Sequence, residues 1–285
     1  MALLMLIFTK ISELTGYLSQ INAQNKTVGF VPTMGALHDG HVSLIRYSKN
    51  TCDYTICSVF VNPTQFNDKS DLDRYPRMPE KDAALLKNAY CDALFMPLVN
   101  EMYPDSLLKE NYDFGYLDKV LEGAHRPGHF NGVAQIVSRF FDIIKPDKAF
   151  FGSKDYQQVM IIKALVKQMN SSIEIIACPI LRDPDGLAMS SRNALLSKEE
   201  RTTASRIPQI MKVAKNLTAT KGIKEAKLFV EQEITTVPSM KLDYFEICNA
   251  DSLNTLTELT SQISAIALIA VYVGKIRLID NVELN

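Results

Sequence analysis

The sequence predicts an α/β protein: a Rossmann-like, doubly wound parallel sheet followed by a smaller C-terminal α+β lid domain. Up to about residue 180, short β-branched runs alternate with helical patterns, which is typical of parallel sheets. The run YTICSVFV is continuously apolar, as a strand buried on both faces requires. Beyond that point the order changes to helices followed by strands. We therefore predict a large α/β domain over 1–181 and a small α+β lid domain over 182–285.

The first predicted units lie between residues 27 and 89. Strand Thr27–Val31 is closed by Pro32, and a helical pattern is established from Ser43. The second strand is Tyr54–Val61. A helix then opens at Pro79, with proline in the first turn and acidic residues beside it.

The next predicted units complete the sheet. Ala93–Met96 is a short strand stopped by Pro97. A helical apolar stripe over 133–144 is read as core packing. It is followed by strand Lys148–Phe151, helix Asp155–Asn170 and strand Ile173–Ala177.

The C-terminal part has its own pattern. A helix is predicted from Ser197, capped by Ser197 and Glu200, and it carries an awkward Pro208 in its interior. A second helix covers Lys224–Ile234. Two strands, Leu242–Ile247 and Ile263–Val273, then suit a small α+β domain.

The composition excludes several functional classes. The chain has 285 residues and a net charge of −1, so no global field attracts nucleic acid or an anionic membrane. Any anionic substrate must be met by local positive groups. Five scattered cysteines, without a C-x-x-C pair, disfavour a disulfide framework and a zinc ribbon and predict buried thiols in a reducing cytosol. The apolar stretches at 2–8 and 263–274 lack the features of a signal peptide or a membrane span and are read as strands or core.

The stretch MGALHDGH, residues 34–41, is a strand-to-helix turn of the kind that binds phosphate. Backbone N–H groups at a helix start are expected to be unpaired and to attract anions, and Gly35 and Gly40 let a ligand approach the backbone closely. His38 and His41 are three residues apart, so both imidazoles are expected on one side of the turn. They could donate hydrogen bonds to charge that develops on a phosphate oxygen. The alternative is two capping or surface histidines.

Four polar clusters follow predicted strands, where ligands bind to parallel sheets. Each cluster also has a plainer reading. Asn62 could belong to a simple turn, and Lys154 and Asp155 could form a helix cap. The loop at 190–192 could be either a mobile clamp over a triphosphate or only an N-cap region. The clusters are MGALHDGH, the group Asn62, Pro63 and Gln65, the group Gly152, Lys154, Asp155 and Gln158, and the loop Leu181–Asn193.

A zinc site is the other chemistry that the histidines raise. All four lie in two glycine-bearing loops, MGALHDGH and HRPGHF. No cysteine joins them, and the H-E-x-x-H helix of zinc peptidases is missing from the sequence, so zinc is disfavoured.

Six motifs resemble, in order and spacing, those of bacterial pantothenate synthetases, the pantoate and β-alanine ligases of the nucleotidylyl-transferase superfamily. They are PTMGALHDGH, VFVNPTQF, YPR, LEGAHRPGHFNGV, FGSKDYQQ and DGLAMSSRN; the resemblance spans about Thr27 to Arg201, and RLIDN at Arg277–Asn281 is also similar. It implies ATP-dependent condensation of pantoate with β-alanine through an enzyme-bound pantoyl adenylate, with magnesium and release of AMP and pyrophosphate. It also implies a cytoplasmic homodimer whose C-terminal domain lids the site.

The resemblance carries roles to matching positions. Ser153 departs from the glutamate expected in many relatives, His125 has no implied role, and Asp82 is a candidate helper for magnesium. Catalytic roles fall on His38, His41, Lys154, Ser190, Ser191 and Arg192, and His41 matches the family's proton donor. ATP contacts fall on Met34, Gly35, Ala36, Leu37, His38, Asp39, Gly40, His41, Gly152, Ser153, Lys154, Asp155, Leu181, Met189, Ser190, Ser191 and Arg192. Substrate-binding roles fall on Gln65 and Gln158, which match the pantoate-binding glutamines, with Gln65 also near β-alanine. Supporting roles at the substrate site fall on Asn62, Arg126 and His129.

Two other activities stay open at this point. A nucleotidylyl transferase of the same superfamily would leave the nucleotide on its product rather than release AMP. A tRNA-charging enzyme has similar site chemistry but is disfavoured by the near-zero net charge and by the lack of length for an anticodon-binding domain. We therefore expect pantoate, β-alanine and ATP as partners, and neither nucleic acid nor membrane. No residue stands out as a base for the β-alanine amine.

Overall fold

The computed structural model describes residues 5–66, 69–104 and 110–284, and of Ser70 only the backbone. The predicted apolar start at 2–8 therefore lies partly outside the described residues. Contacts divide the chain into two compact units. The first comprises Met1–Ser153 and Gln158–Pro179, and the second comprises Lys154–Gln157 and Ile180–Asn285.

The first unit contains a six-stranded sheet. Its strands are β1 (Leu6–Phe8), β2 (Val28–Thr33), β3 (Tyr54–Val59), β4 (Ala93–Phe95), β5 (Lys148–Gly152) and β6 (Glu174–Cys178). Every pairing is parallel, and the strand order is β1-β4-β3-β2-β5-β6. Helices separate most of the strands along the chain, so the predicted α/β class with a doubly wound parallel sheet is confirmed.

Helices cover both faces of this sheet. They are α1 (Ile11–Asn22), α2 (Asp39–Thr51), α3 (Lys69–Arg74), α4 (Pro79–Asn88), α5 (Val99–Met102), α6 (Glu122–His125), α7 (His129–Ile144) and α8 (Tyr156–Gln168). Successive residues of the central strands alternate between two hydrophobic cores. Phe30 and Ile56 lie in a core with α1, α7 and α8, while Val31 and Cys57 lie in a core with α2 and α4.

Strand β2 continues through Pro32, so the prediction that Pro32 closes it is wrong. Pro32 pairs in register with Ser58 of β3. On the other side, the β2 pairing with β5 is confined to Gly29 and Phe30. Proline lacks an N–H and is tolerated where the ladder requires no donor on that side. The end of β2 is such a place.

The second unit has a three-stranded antiparallel sheet, β7 (Met240–Asn249), β8 (Ala265–Val273) and β9 (Ile276–Glu283), in that order. It has its own core, which includes Ile207, Val230 and Ile247. The separate sheet and core agree with the predicted small α+β domain. Its helices are α9 (Lys198–Ala204), α10 (Arg206–Lys221) and α11 (Ile223–Thr235).

The predicted single helix around Pro208 is two helices. The chain leaves α9 at Ala204 and enters α10 at Arg206, which places Pro208 in a first turn. A first-turn residue needs no intrahelical N–H, so proline is accommodated there. The capping box of Ser197 and Glu200 is confirmed by hydrogen bonds in both directions.

All five cysteines are buried free thiols. Within residues 5–66, 69–104 and 110–284, a helix long and apolar enough to cross a membrane is not found.

Candidate active site

The topology of the first unit defines a switch point between β2 and β5. From β2 the chain moves outward to β3 and β4, and it then returns to the other side of β2 to form β5 and β6. Ligands of doubly wound sheets bind beyond the carboxyl ends of the strands at such a point. The loop Met34–His38 follows β2, and Gly152 ends β5. Two of the predicted ATP segments therefore flank the switch point.

The loop after β2 has two residues with positive φ angles, and its backbone is hydrogen-bonded to Asp82. Gly35 and Ala36 have φ angles of 80° and 50°. The Asp82 carboxylate is 1% exposed and accepts the N–H of Ala36 at 2.9 Å and of Leu37 at 2.7 Å. A Cβ at Gly35 would lie 2.9 Å from Asp82 Oδ2, so glycine is required there. Asp82 thus anchors the loop, whereas the sequence suggested a helper for magnesium.

His38 and His41 cap helix α2 reciprocally. His38 Nδ1 accepts the N–H of Gly40 at 3.1 Å, and His41 Nδ1 accepts the N–H of His38 at 3.4 Å. The ring centroids are 4.1 Å apart, so the two imidazoles share one side of the turn as predicted. The alternative reading, two capping histidines, describes the same geometry.

These caps determine which ring nitrogen carries the proton. A nitrogen that accepts an N–H has no proton of its own, so each neutral ring is protonated at Nε2. Both histidines can then donate from Nε2 while Nδ1 remains committed to the backbone. The pair is suited to two adjacent acceptors, such as the oxygens of a polyphosphate.

The backbone of this loop supplies fewer donors to an anion than the sequence suggested. The N–H groups of Gly35 to His38, of Gly40 and of His41 all donate within the protein. The expectation of a cradle of unpaired N–H groups is therefore wrong for these residues. The physical reason is that the Thr33 hydroxyl, the Asp82 carboxylate, the two imidazoles and the His38 carbonyl oxygen accept these N–H groups.

Asn62 fixes the orientation of Gln65 beyond β3. Asn62 Nδ2 lies 3.0 Å from the Gly132 carbonyl oxygen, which can only accept, so this atom is the amide nitrogen. The same nitrogen donates to Gln65 Oε1 at 3.2 Å. Gln65 Nε2 is consequently the end that turns away, and it reaches Met34 Sδ at 2.8 Å. Gln65 thus presents a donor beside the loop at 34–41.

Tyr103 completes this arrangement. Its hydroxyl donates to Asn62 Oδ1 at 2.8 Å, and the Thr64 hydroxyl donates to the same oxygen at 3.0 Å. Burial raises the pKa of Tyr103, so the phenol keeps its proton and remains a donor. Two hydroxyl donors on Oδ1 hold Asn62 in the one orientation that directs Gln65.

Arg126 and His129 form a chain that ends on the backbone of Gln65. The Gln65 carbonyl oxygen accepts from His129 Nδ1 at 2.8 Å, and His129 Nε2 then accepts from Arg126 Nη1 at 3.1 Å. Arg126 in turn lies 3.7 Å from the buried carboxylate of Glu122. In the described structure these two predicted substrate residues support Gln65.

The remaining predicted residues are divided between the two units. Lys154 and Asp155 group with the second unit, where Lys154 Nζ lies 3.5 Å from Asp155 Oδ1. Leu181 and Met189 pair across a hairpin through an N–H···O bond of 3.0 Å. Ser190 caps a 3₁₀ turn at Ser191–Leu195, which includes Ser191 and Arg192. Asp39 is the first residue of α2, while Gly152, Ser153 and Gln158 belong to the first unit.

Within the part of the chain that the structure describes, no group of three histidines, cysteines, aspartates or glutamates could hold a metal ion. The Asp82 oxygens already accept two backbone N–H groups.

Sequence reasoning missed Asp82 as an anchor, Tyr103 and Glu122 as supports, and the residues of β9 that contact Lys154. Asp82 and its loop are more than forty residues apart along the chain. Pairings of this kind leave no spacing signal, whereas the turn chemistry of the loop itself does.

Comparisons with known proteins agree with one another. A family model described as pantoate-beta-alanine ligase matches residues 6–283. Pantothenate synthetases from Porphyromonas gingivalis and Bacteroides fragilis are 46% and 47% identical over 97% and 98% of this chain, and over 98% and 99% of their own lengths.

Solved structures are similar as well. The pantothenate synthetase of Thermus thermophilus has a TM-score of 0.91 at 38% identity, covering 98% of this chain and 99% of that one. A pantoate-beta-alanine ligase from Francisella tularensis, complexed with beta-gamma ATP and beta-alanine, has a TM-score of 0.83 at 36% identity, covering 99% and 98%.

Proposed function

The chain belongs to the pantoate–β-alanine ligase family, and on that premise we propose how its own residues carry out the ligase reaction. The enzyme condenses pantoate with β-alanine at the expense of ATP, which forms the amide bond of pantothenate. A carboxylate is a poor acyl donor because its leaving group would be oxide. ATP therefore has to convert it into a better donor before the amine attacks.

The reaction proceeds in two steps. A carboxylate oxygen of pantoate attacks the α-phosphorus of ATP, the bond to the β-phosphate breaks, and pyrophosphate leaves. The β-alanine amine then attacks the carbonyl carbon of the pantoyl adenylate, the bond to AMP breaks, and the amine loses a proton. The site is required to shield this mixed anhydride from water between the two steps.

The observation that carries the proposal is the reciprocal capping of His38 and His41. With both Nδ1 atoms engaged by backbone N–H groups, both Nε2–H groups are oriented donors on one side of the turn. We assign them to the charge that develops on phosphate oxygens as pyrophosphate departs. His41, the family's proton donor by resemblance, is the main candidate.

Gln65 and Gln158 are proposed to hold pantoate. Gln65 presents its Nε2 donor because Asn62 occupies its Oε1. A donor suits the carboxylate and hydroxyl oxygens of pantoate and adds no charge to a site where an anion must act as nucleophile. Gln158, in the first turn of α8 after β5, is the second proposed contact. The β-alanine site is proposed beside Gln65.

Lys154, Ser190, Ser191 and Arg192 are proposed to contact the triphosphate. An ammonium, a guanidinium and two hydroxyls supply the charge and donors that a departing pyrophosphate requires. The other ATP contacts carried by resemblance, which include Gly152, Ser153 and Leu181, remain proposals on the same basis.

Magnesium enters the proposal as part of the substrate. It prefers phosphate oxygens and water to all-protein cages. A homodimer is proposed on the family resemblance, to be tested by sedimentation. The cytoplasm is proposed because five free thiols, all buried, suit a reducing compartment.

An exchange experiment tests the two-step reaction. Enzyme with ATP, magnesium and pantoate, but without β-alanine, should exchange labelled pyrophosphate into ATP, and added β-alanine should release AMP and pantothenate. Exchange without pantoate, or exchange that requires an amino acid other than β-alanine, would contradict the proposal. Product formation without prior exchange would indicate a concerted reaction and eliminate the adenylate.

A further inference from the structure

Two adjacent polar residues near the end of β9 are buried in the second unit. Asp280 and Asn281 are 3% and 5% exposed. They belong to the motif RLIDN, which resembles the family's motif but carries no role from it. Buried polar groups in proteins are hydrogen-bonded, so the partners of these two side chains indicate what they do.

Asn281 holds the backbone of Lys154. Its Nδ2 donates to the Lys154 carbonyl oxygen at 2.9 Å, more than a hundred residues away in sequence. A second bond, from the Tyr156 hydroxyl to the Ala250 carbonyl oxygen at 2.8 Å, fixes the same segment. The segment Lys154–Gln157 groups with the second unit, although it directly follows β5 and Ser153 in the chain.

Asp280 holds the hairpin that leads to Ser190. Arg182 donates to both of its carboxylate oxygens, at 2.7 Å and 2.9 Å, a bidentate geometry with strong directional preference. Arg182 also donates to the Gly186 carbonyl oxygen at 3.1 Å, across the hairpin that Leu181 and Met189 close. The hairpin is thereby tied to β9.

The base of the same hairpin is fixed independently. Arg201 donates to Asp183 Oδ2 and to both oxygens of Asp185, each at 2.8 Å. Burial alone would raise the pKa of Asp185, but the bonds from Arg201 outweigh it and the net pKa is lowered. The loop predicted to be a mobile clamp, at 190–192, is therefore preceded by a hairpin that ion pairs with Arg201 hold in place.

We propose that Asp280 and Asn281 are positioning residues that set the two phosphate-contacting segments of the second unit from one strand. Asn281 aligns Lys154 through its carbonyl, and Asp280 aligns the approach to Ser190 through Arg182. This inference rests on the proposed function of Lys154 and Ser190. It adds a role that neither residue type nor sequence position would suggest.

The alternative is a buried polar pair that only stabilises the end of β9. A double-mutant cycle separates the two, because a residue that acts through Lys154 loses its effect once the Lys154 side chain is removed. Asn281→Leu removes the donor with little change of shape. We expect it to lower kcat for pyrophosphate exchange by about 10- to 100-fold, the effect of a misplacement of order one ångström.

In the background of Lys154→Ala, the same Asn281→Leu change is expected to alter kcat by less than about twofold. The matched control is Thr218→Val, which removes one buried hydrogen bond of the second unit, to Ala214, and is expected to leave exchange unchanged in both backgrounds. Equal decreases for Asn281→Leu in the two backgrounds would overturn the inference, as would wild-type exchange in the single variant.

A second variant keeps the test decisive if circular dichroism shows that Asn281→Leu does not fold. Asn281→Ser, a smaller change, then replaces it in the same cycle. Failure of the proposed function is recognised separately, because the wild-type enzyme would then show no pantoate-dependent exchange. Exchange in the wild type with an additive cycle rejects only the positioning role.

Discussion

Replacing Asp82 by asparagine should loosen the loop at 34–41 without removing any group that contacts substrate. The carboxylate accepts one N–H at each oxygen, from Ala36 and from Leu37. Asparagine keeps one acceptor and turns an NH₂ group toward the other N–H, so two donors face each other. The buried site offers little room to separate them, since Asp82 is 1% exposed and lies close to Gly35.

The magnitude follows from the bonds that are lost. One charge-assisted hydrogen bond disappears and one buried N–H is left unsatisfied, so the free energy of unfolding should fall by about 3 kcal/mol. Where the loop avoids this cost by leaving its native conformation, its competent fraction falls, and a fall to about one tenth corresponds to about 1.4 kcal/mol in favour of the rearranged loop. We therefore expect the KM for ATP to rise by about tenfold.

Urea unfolding and steady-state kinetics measure the two effects on one preparation of Asp82→Asn. Glu80→Gln is the matched control, because Glu80 is an exposed acid in the same first turn of α4. Wild-type stability and wild-type KM in Asp82→Asn would refute the anchoring argument. A loss of stability with an unchanged KM for ATP would show that Asp82 supports the fold but not the loop.

Three further predictions concern the histidines, the glutamines and the thiols. His38→Ala and His41→Ala should each lower kcat by about 100-fold or more while circular dichroism stays native. His38→Asn keeps an acceptor for the helix cap, so it should be about 1 kcal/mol more stable than His38→Ala but no more active. Near-normal turnover in His41→Ala would rule out the proposed role. Gln65→Ala and Gln158→Ala should raise the KM for pantoate and leave the affinity for ATP, measured by titration, unchanged. An equal loss of ATP affinity would place these amides in the nucleotide site instead. Burial raises the pKa of Cys91 to about 12, so the thiol loses its proton at lower pH in the unfolded chain than in the folded one. The contribution of the buried thiol to stability is therefore complete below the unfolded pKa of about 8.5 and is lost as pH rises towards 12. Urea midpoints should fall with pH above about pH 9, and less steeply in Cys91→Ala; an equally steep fall in that variant would contradict this assignment.

Sequence patterns predicted the sheet well because burial on both faces leaves a strong signal. The run that forms β3 is continuously apolar, and its first six residues are the strand. The errors lie at prolines. Proline usually interrupts a ladder, so Pro32 predicts the end of β2, and only the pairing with β5 reveals that no donor is needed there.

The site was predicted less completely than the fold. The glycines and histidines of residues 34–41 predict the turn from sequence, and the structure brings His38 and His41 together. Sequence suggests unpaired N–H groups at a helix start, but the helix is capped from within by the same two histidines and the loop is anchored by Asp82. The alternative of two capping histidines, which the sequence also offered, describes the helix start correctly, whereas the anchoring by Asp82 leaves no signal at this spacing.

The arrangement of side chains at this site is set by acceptors that cannot donate. A carbonyl oxygen at Gly132 forces the orientation of Asn62, which forces that of Gln65, and a carbonyl oxygen of Gln65 forces the tautomer of His129. Each choice removes an ambiguity of the next side chain. The end of the Gln65 amide that faces the loop at 34–41 is therefore specified by a backbone position far from it in sequence. On the proposed contact with pantoate, a substitution that keeps Gln65 but reverses its amide should raise the KM for pantoate as much as Gln65→Ala does, since the carboxylate oxygens of the substrate would then face an acceptor.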